Sequence, residues 1–463
     1  MRLRSVLVLL GTSLALGGCA AQTSSTTHAS GAVPAAPMQA AVGKAPSAVR
    51  RTLSIPTCSG SGVDSFVGGG LSNVAHGTYA GVLTGYGNQA CDNADVIGGG
   101  STNAISANND ATEGFIGGGE NNVITGNASY AVVTGGNGNI VNGGEWGVVA
   151  GGSGNTVTGN DATIAGGSDN ETDAVNSLLG AGSGNYIGSG AQYGLIGGGS
   201  NNQLYARLGV IVGGLNNVVA SNAEGGYIAA GGYNSLSGQG AVIDGGFNNT
   251  AAGIYATIPG GYVNSAAGTY SFAAGARASS AQTGTFVWSD GSDGDATLTS
   301  SREYQFLARA SGGFTFWTNA ASTVGATLAP GSGTWSSASD RNLKTDVARI
   351  DDAAVLDKVA ALPVNRWSYK SERGVSHLGP MAQDFYAAFR VGEDDKHIAS
   401  LDEDGVALAA IKALHAENAR QSARIAALER DVAALRALVT RPQRPTGRDP
   451  AKPAFRAPAA AVR

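Results

Sequence analysis

The chain has 463 residues, 72 of them glycine, with 42% hydrophobic and only 14% charged residues and a net charge of −5. Glycine at this level without a Gly-X-Y period excludes collagen, and regularly spaced Val and Ile argue against a disordered coil. Between Val63 and Ala276 thirteen acidic residues stand against one basic residue, Arg207, so nucleic acid is not an expected partner, since phosphate binding needs clustered cations.

The first segment reads as an export signal. Arg2 and Arg4 form a basic start, and Ser5 to Leu16 form an apolar stretch too short to span a bilayer. Its end, Leu16-Gly17-Gly18-Cys19, resembles the lipobox of bacterial lipoproteins. That resemblance implies lipidation at Cys19 and, with Ala20 following, transport to the outer membrane. Residues 1–19 are thus expected to be signal peptide and lipobox, the alternative being an ordinary secretory peptide with a chance cysteine. Residues 20–57, rich in Ala, Ser, Thr and Pro, are a flexible tether. Cys58 and Cys91 remain as an even pair and a candidate disulfide, which geometry could equally forbid. Two cysteines without a histidine cluster argue against a metal site, and no cofactor is expected.

From Val67 the chain repeats two or three apolar residues followed by Gly-Gly-x-x-Asn. Val96-Ile97-Gly98-Gly99-Gly100-Ser101-Thr102-Asn103 and Val210-Ile211-Val212-Gly213-Gly214-Leu215-Asn216-Asn217 are clear copies. Aligned asparagines fall at 73, 88, 103, 122, 139, 155, 170, 185, 202, 217, 249 and 264, with degenerate copies near Ser235 and Ala278. These make about fourteen repeats of about 15 residues, too short for a helical unit and suited to two short strands joined by two turns. Val and Ile favour strands, glycine supplies left-handed turn positions, and asparagines in one register can stack along the axis. A calcium-binding nonapeptide solenoid needs a different spacing and a repeated aspartate, so it is rejected.

Over residues 63–278 these coils resemble the parallel β-roll heads of trimeric autotransporter adhesins. The resemblance implies a mainly β fold built as a glycine-rich parallel β-roll or β-solenoid over residues 58–278, assembled as a homotrimer. No segment reads as the translocating β-barrel that closes such adhesins.

Residues 279–335 form a small β segment, with strands predicted at Phe286-Val287-Trp288, Tyr304 to Ala310 and Gly313 to Trp317. The polar string Ser339-Asp340-Arg341-Asn342-Leu343-Lys344 follows. A Ser–Lys pair cleaves an amide without histidine once the lysine has lost its proton. An exposed lysine titrates at about 10.4, so burial or crowding by positive charge is required. Arg341 could supply such crowding. Taken alone, the string is more simply a helix cap, with Ser339 and Asp340 closing a helix that starts at Arg341.

The next hundred residues reverse that preference. Pro363 to Lys370 reads as a strand, His377-Leu378-Gly379-Pro380-Met381-Ala382-Gln383-Asp384-Phe385 follows, and then Asp402 to Ile411 runs into a heptad helix. In that order these segments resemble the endosialidase-type intramolecular chaperone that ends phage tail spikes and fibres and many bacterial tail fibre domain proteins. The resemblance covers roughly 336–440 and implies a mixed α/β chaperone domain with a C-terminal coiled coil at 405–440. It implies Ser339 as nucleophile, Lys344 as its base and a cut between Ala338 and Ser339, with Asp340 supporting the site. His377 and Gln383 fit its His-x-Gly-x-x-Ala-Gln-acidic motif and are implied to support the site rather than to catalyse.

Within the helix, Ile411, Leu414, Asn418, Gln421, Ile425, Leu428, Val432 and Leu435 step by three and four as a heptad seam. Ile or Val at a with Leu at d favours a dimer, whereas both resemblances imply a trimer. The trimer is preferred because Asn418 and Gln421 weaken the seam. Residues 441–463 form a basic, proline-rich, disordered tail.

The leading expectation is a lipid-anchored homotrimeric surface fibre with an adhesin-like head that binds a glycan or host protein. Its chaperone would act once, as a single-turnover serine autopeptidase, on itself. The alternatives are a polysaccharide-binding or -degrading enzyme and a purely structural spacer. Glycosidases need paired carboxylates, and the only dense acidic group is Asp169, Glu171 and Asp173, expected on a turn.

Overall fold

The computed structural model describes residues 58, 62–106 and 112–440. The signal segment with Cys19, the tether and the basic tail lie outside the described residues. Packing divides the chain into two units. One runs to Thr318 and includes Gly325–Ser336; the other holds Asn319–Val324 and continues from Ser337.

The first unit is a parallel β-solenoid of about 15 turns. Among the described residues, sixteen strands form one sheet, from Phe66–Val67 to Phe306–Arg309, and fifteen form a second, from Val74–Ala75 to Leu298–Thr299. Each coil gives one short strand to each sheet, and each strand pairs with its equivalent one coil on, as Val148 with Thr163 and Val149 with Ile164. Side chains alternate across a strand, so nearly every coil sends one apolar residue inward from each sheet, with Thr172 and Ser280 as polar exceptions in the second. Ile97, Ile116, Ile164, Leu179 and Ile196 form one fully buried column, and Ile105, Ile124, Ile187, Leu204 and Leu236 contribute to the other. Burying one such side chain is worth roughly 1.5–3 kcal/mol.

The asparagines close the turns. Asn170 Nδ2 donates to Asn155 Oδ1 at 3.1 Å, to Gly166 O at 3.1 Å and to Gly182 O at 2.9 Å, while its own Oδ1 accepts from the backbone N–H of Asn185 at 3.0 Å. The same pattern runs from Asn73 to Asn264, and Asn234 fills the place between Asn217 and Asn249. The sequence repeat misses Asn234, where Ala230 stands at the first glycine position while Gly231 keeps the left-handed position three residues before the asparagine. The second glycine of each motif has no substitute: at Gly167 φ is +92°, and a Cβ would lie 2.2 Å from Gly182 O.

The solenoid continues past the expected boundary at residue 278. Phe286–Asp290 and Phe306–Arg309 extend the first sheet, and Phe272, Phe286 and Phe306 stack with successive centroids 4.6 Å apart. The two outer faces differ. Outward residues of the first sheet are mostly apolar, among them Val96, Phe115, Val132, Val148, Leu178 and Leu195, while the second is mixed, with Gln89, Thr156, Glu171, Ser235 and Ser265 beside Val74, Ile140, Tyr186 and Val218. Cys58 and Cys91 are joined by a disulfide, with their Cα atoms 5.8 Å apart. A three-stranded sheet, Phe314–Trp317, Gly325–Leu328 and Trp335–Ser337, follows the last coil.

The second unit contains helices α1 (Asp352–Ala361), α2 (Ala382–Phe389) and α3 (Ser400–Val439), with a hairpin of Asn365–Trp367 against His377–Gly379. Asp351 caps α1 by accepting from the backbone N–H groups of Ala353 and Ala354. Ala409, Ala410 and Ala413 are the buried residues of α3. The heptad residues Ile411, Leu414, Ile425, Leu428, Val432 and Leu435 are all exposed in the single chain.

Candidate active site

Ser339 stands before a 3₁₀ turn, Arg341–Leu343. Asp340 caps that turn: its Oδ1 accepts from the backbone N–H of Asn342 at 2.9 Å and from Asn342 Nδ2 at 3.1 Å. The backbone N–H groups of Leu343 and Lys344 donate to the carbonyls of Asp340 and Arg341 at 3.2 Å. The reversal brings Lys344 back over Ser339, and Lys344 Nζ donates to Ser339 Oγ at 2.7 Å. The cap and the Ser339–Lys344 contact therefore coexist, because the capped turn is what closes the five-residue interval. Ala338, Ser339 and Lys344 are exposed.

A hydroxyl within hydrogen-bond reach of an amine is the geometry that proton abstraction requires. The amide that precedes Ser339 is joined to the same residue as the hydroxyl, so proximity is built into the chain. Asn342 is a further member of the site that sequence reasoning did not single out. Its spacing of two from Asp340, typical of an Asx-turn, was the available signal.

His377 lies on the hairpin directly opposite Trp367. Its ring stacks on the indole at 4.7 Å and meets Tyr369 edge-on at 5.5 Å. His377 Nε2 is 3.7 Å from Glu372 Oε2, too far for a hydrogen bond, and both it and Trp367 Nε1 are buried without a hydrogen-bond partner. Trp367 and Tyr369 alternate around Ser368, which places them on one face. Gln383 sits in the first turn of α2 and lines an open pocket of about 400 Å³ with Tyr386, Arg390 and Asp394. Among the described residues neither His377 nor Gln383 hydrogen-bonds to Ser339 or Lys344.

The acidic trio of the solenoid is differently placed from expectation. Glu171 lies on a strand, not a turn, and Asp173 accepts from Tyr186 Oη at 2.7 Å and from Thr158. Among the described residues no group of three or more His, Cys, Asp or Glu could hold a metal ion. No helix of the described residues is long and apolar enough to cross a membrane.

No curated protein gives a significant match to this chain. A segment similar to the chaperone of endosialidase family, carried behind a β-solenoid, points to an exported surface protein. Residues 339–391, which span the Ser339–Lys344 pair, the hairpin and α2, match the peptidase S74 family described as chaperone of endosialidase, and in this segment the chain is similar to that family.

Proposed function

We propose that the chain is a homotrimeric, lipid-anchored surface fibre whose C-terminal chaperone aligns three copies and then cuts itself off at Ser339. The observation that carries the cut is the 2.7 Å contact between Lys344 Nζ and Ser339 Oγ. Neutral Lys344 takes the hydroxyl proton while Oγ attacks the carbonyl carbon of Ala338. The Ala338–Ser339 C–N bond breaks as the lysine returns that proton to the amide nitrogen, leaving an ester on Oγ. Water then hydrolyses the ester, giving an Ala338 carboxylate and a fragment that begins at Ser339.

Burial favours the neutral form of a lysine. In the single chain both members of the pair are exposed, so the pair becomes competent when neighbouring copies cover it. The burial pattern supports a need for further copies. Between Ser301 and Thr440 only Phe385, Ala409, Ala410 and Ala413 are buried, which is too little to offset the entropy of ordering so many residues. The exposed seam of α3 offers one shared core, and the apolar outer face of the first solenoid sheet offers another. Parallel sheets form slowly because their contacts are long-range. A helical domain that gathers three chains first would shorten that search, and its removal would leave a fibre whose persistence is kinetic.

Expression of wild type, Ser339→Ala and Lys344→Ala, followed by denaturing gels and intact mass, tests this reading. A 125-residue fragment starting at Ser339 is expected from wild type alone. An intact wild-type chain in a well-assembled trimer would sink the self-cleavage reading. The anchor is tested separately by labelling with a fatty-acid probe, which Cys19→Ser should abolish.

A further inference from the structure

We propose that the segment from Ser301 to Ser336 is an interchain clamp, closed by second and third copies of this chain, that stays on the fibre and holds it together after the chaperone has gone. This rests on the self-cleavage reading for its position, because a cut before Ser339 leaves the whole segment on the fibre side.

The segment has a fold but no interior. Its sheet pairs Phe314 with Leu328 and Trp317 with Gly325 in antiparallel register, yet no residue from Ser301 to Ser336 is buried. Phe306 is 70% exposed, Phe316 58%, Trp317 52% and Trp335 53%. A sheet of three short strands with its large rings in water is not stable on its own. Each aromatic ring can bury about 150–250 Å², so roughly half of that from four rings in each of three copies amounts to on the order of 1,000 Å². Divided over the three contacts of a trimer this is roughly 400 Å² each, so the rings add to an interface that runs along the fibre rather than forming a complete one alone.

Charge identifies the occupant as another copy. From Ala310 to Ser339 there is no Asp, Glu, Lys, Arg or His, whereas Asp340, Arg341 and Lys344 follow at once. Around a three-fold axis the side chains nearest the axis meet their own copies, so like charges there repel, and this run carries none. Arg309, the nearest cation before it, is already held by Asp290 and Asp293 of the last coils. The uncharged run ends at the proposed cut, so the partition between disposable and retained sequence coincides with the change in surface chemistry.

The test uses the full chain carrying Thr334→Cys, purified as expressed and treated with a bis-maleimide, with Thr250→Cys on the solenoid as control. Dimers of the N-terminal product are expected for Thr334→Cys in clear excess over the control, because one thiol per chain and a two-ended linker join chains in pairs. The double variant Trp317→Ser and Trp335→Ser should still release the 125-residue fragment, but its fibre should fall apart on heating about tenfold faster or more. No excess of cross-linked species, or an unchanged rate of dissociation in a fully cleaved double variant, would overturn the clamp. If that variant fails to cleave, the Thr334→Cys result decides alone. If wild type never cleaves, cross-linking of the uncut chain still tests the clamp, so the two readings fail separately.

Discussion

Asp340 and Lys344 work through one turn: the carboxylate of the first holds the backbone N–H of Asn342, and the turn so fixed delivers the Nζ of the second to Ser339. Asp340→Ala leaves both reacting groups in place but frees the turn. Fragment release should slow by about fivefold, the loss expected for a single cap. A quenched time course on denaturing gels reads this directly, and a rate equal to wild type would show that the turn needs no cap.

Asn170→Ala removes five side-chain bonds from the interior of the ladder: three donated by Nδ2, to Asn155 Oδ1 and the carbonyls of Gly166 and Gly182, and two accepted by Oδ1 from Asn185. Each buried group left without a partner costs about 1–3 kcal/mol, so a loss of about 3 kcal/mol or more is expected. Hydrogen exchange should show the opening concentrated in the adjoining coils, because a stacked array couples mainly to its neighbours.

Gly167→Ala is expected to do at least as much damage. The residue sits at φ +92° and the new Cβ would overlap Gly182 O, which no side-chain rotation relieves. Gly166 has open space around its Cβ position. Gly166→Ala should therefore leave the thermal transition of the fibre within a few degrees of wild type, and a loss equal to that of Gly167→Ala would refute the distinction.

Asp95 is fully buried, and that burial pushes its carboxyl up to about 7 although the backbone N–H groups of Asp92 and Gly114 donate to it. The folded chain therefore holds a proton that the unfolded chain releases at about 3.9. Stability contributed by the protonated form falls as pH rises from about 4 to about 7, by up to roughly 4 kcal/mol, and is flat above. Exchange rates for residues near Asp95, corrected for intrinsic chemistry, should show more opening at pH 8 than at pH 5. Asp95→Asn should remove that difference.

The solenoid was legible because its information is local and repeated. A period near 15, an inward Val or Ile in each strand and a glycine where φ must be positive leave little else to build, and the asparagine register could be read directly from Asn88 to Asn217. Where the first glycine is replaced, as by Ala230 before Asn234, or where the motif gives way to aromatic strands after residue 278, pairing with the preceding coil kept the fold going although the pattern had lapsed. The pair at residues 339 and 344 was legible as a candidate, but its two readings could not be separated on the string itself. Once folded they proved compatible, since a capped turn and a close Ser–Lys contact are one arrangement.

What the linear chain determined by itself was the repeat, the residue types at each turn and the heptad of α3, all of which follow from spacing over a few residues. Only the tertiary structure decided that Cys58 meets Cys91, that His377 stacks on Trp367, that Asp95 is buried and that the region after Ser301 has almost no interior. These depend on which distant segments come together and how much water they exclude, and side-chain order along a chain carries no measure of either.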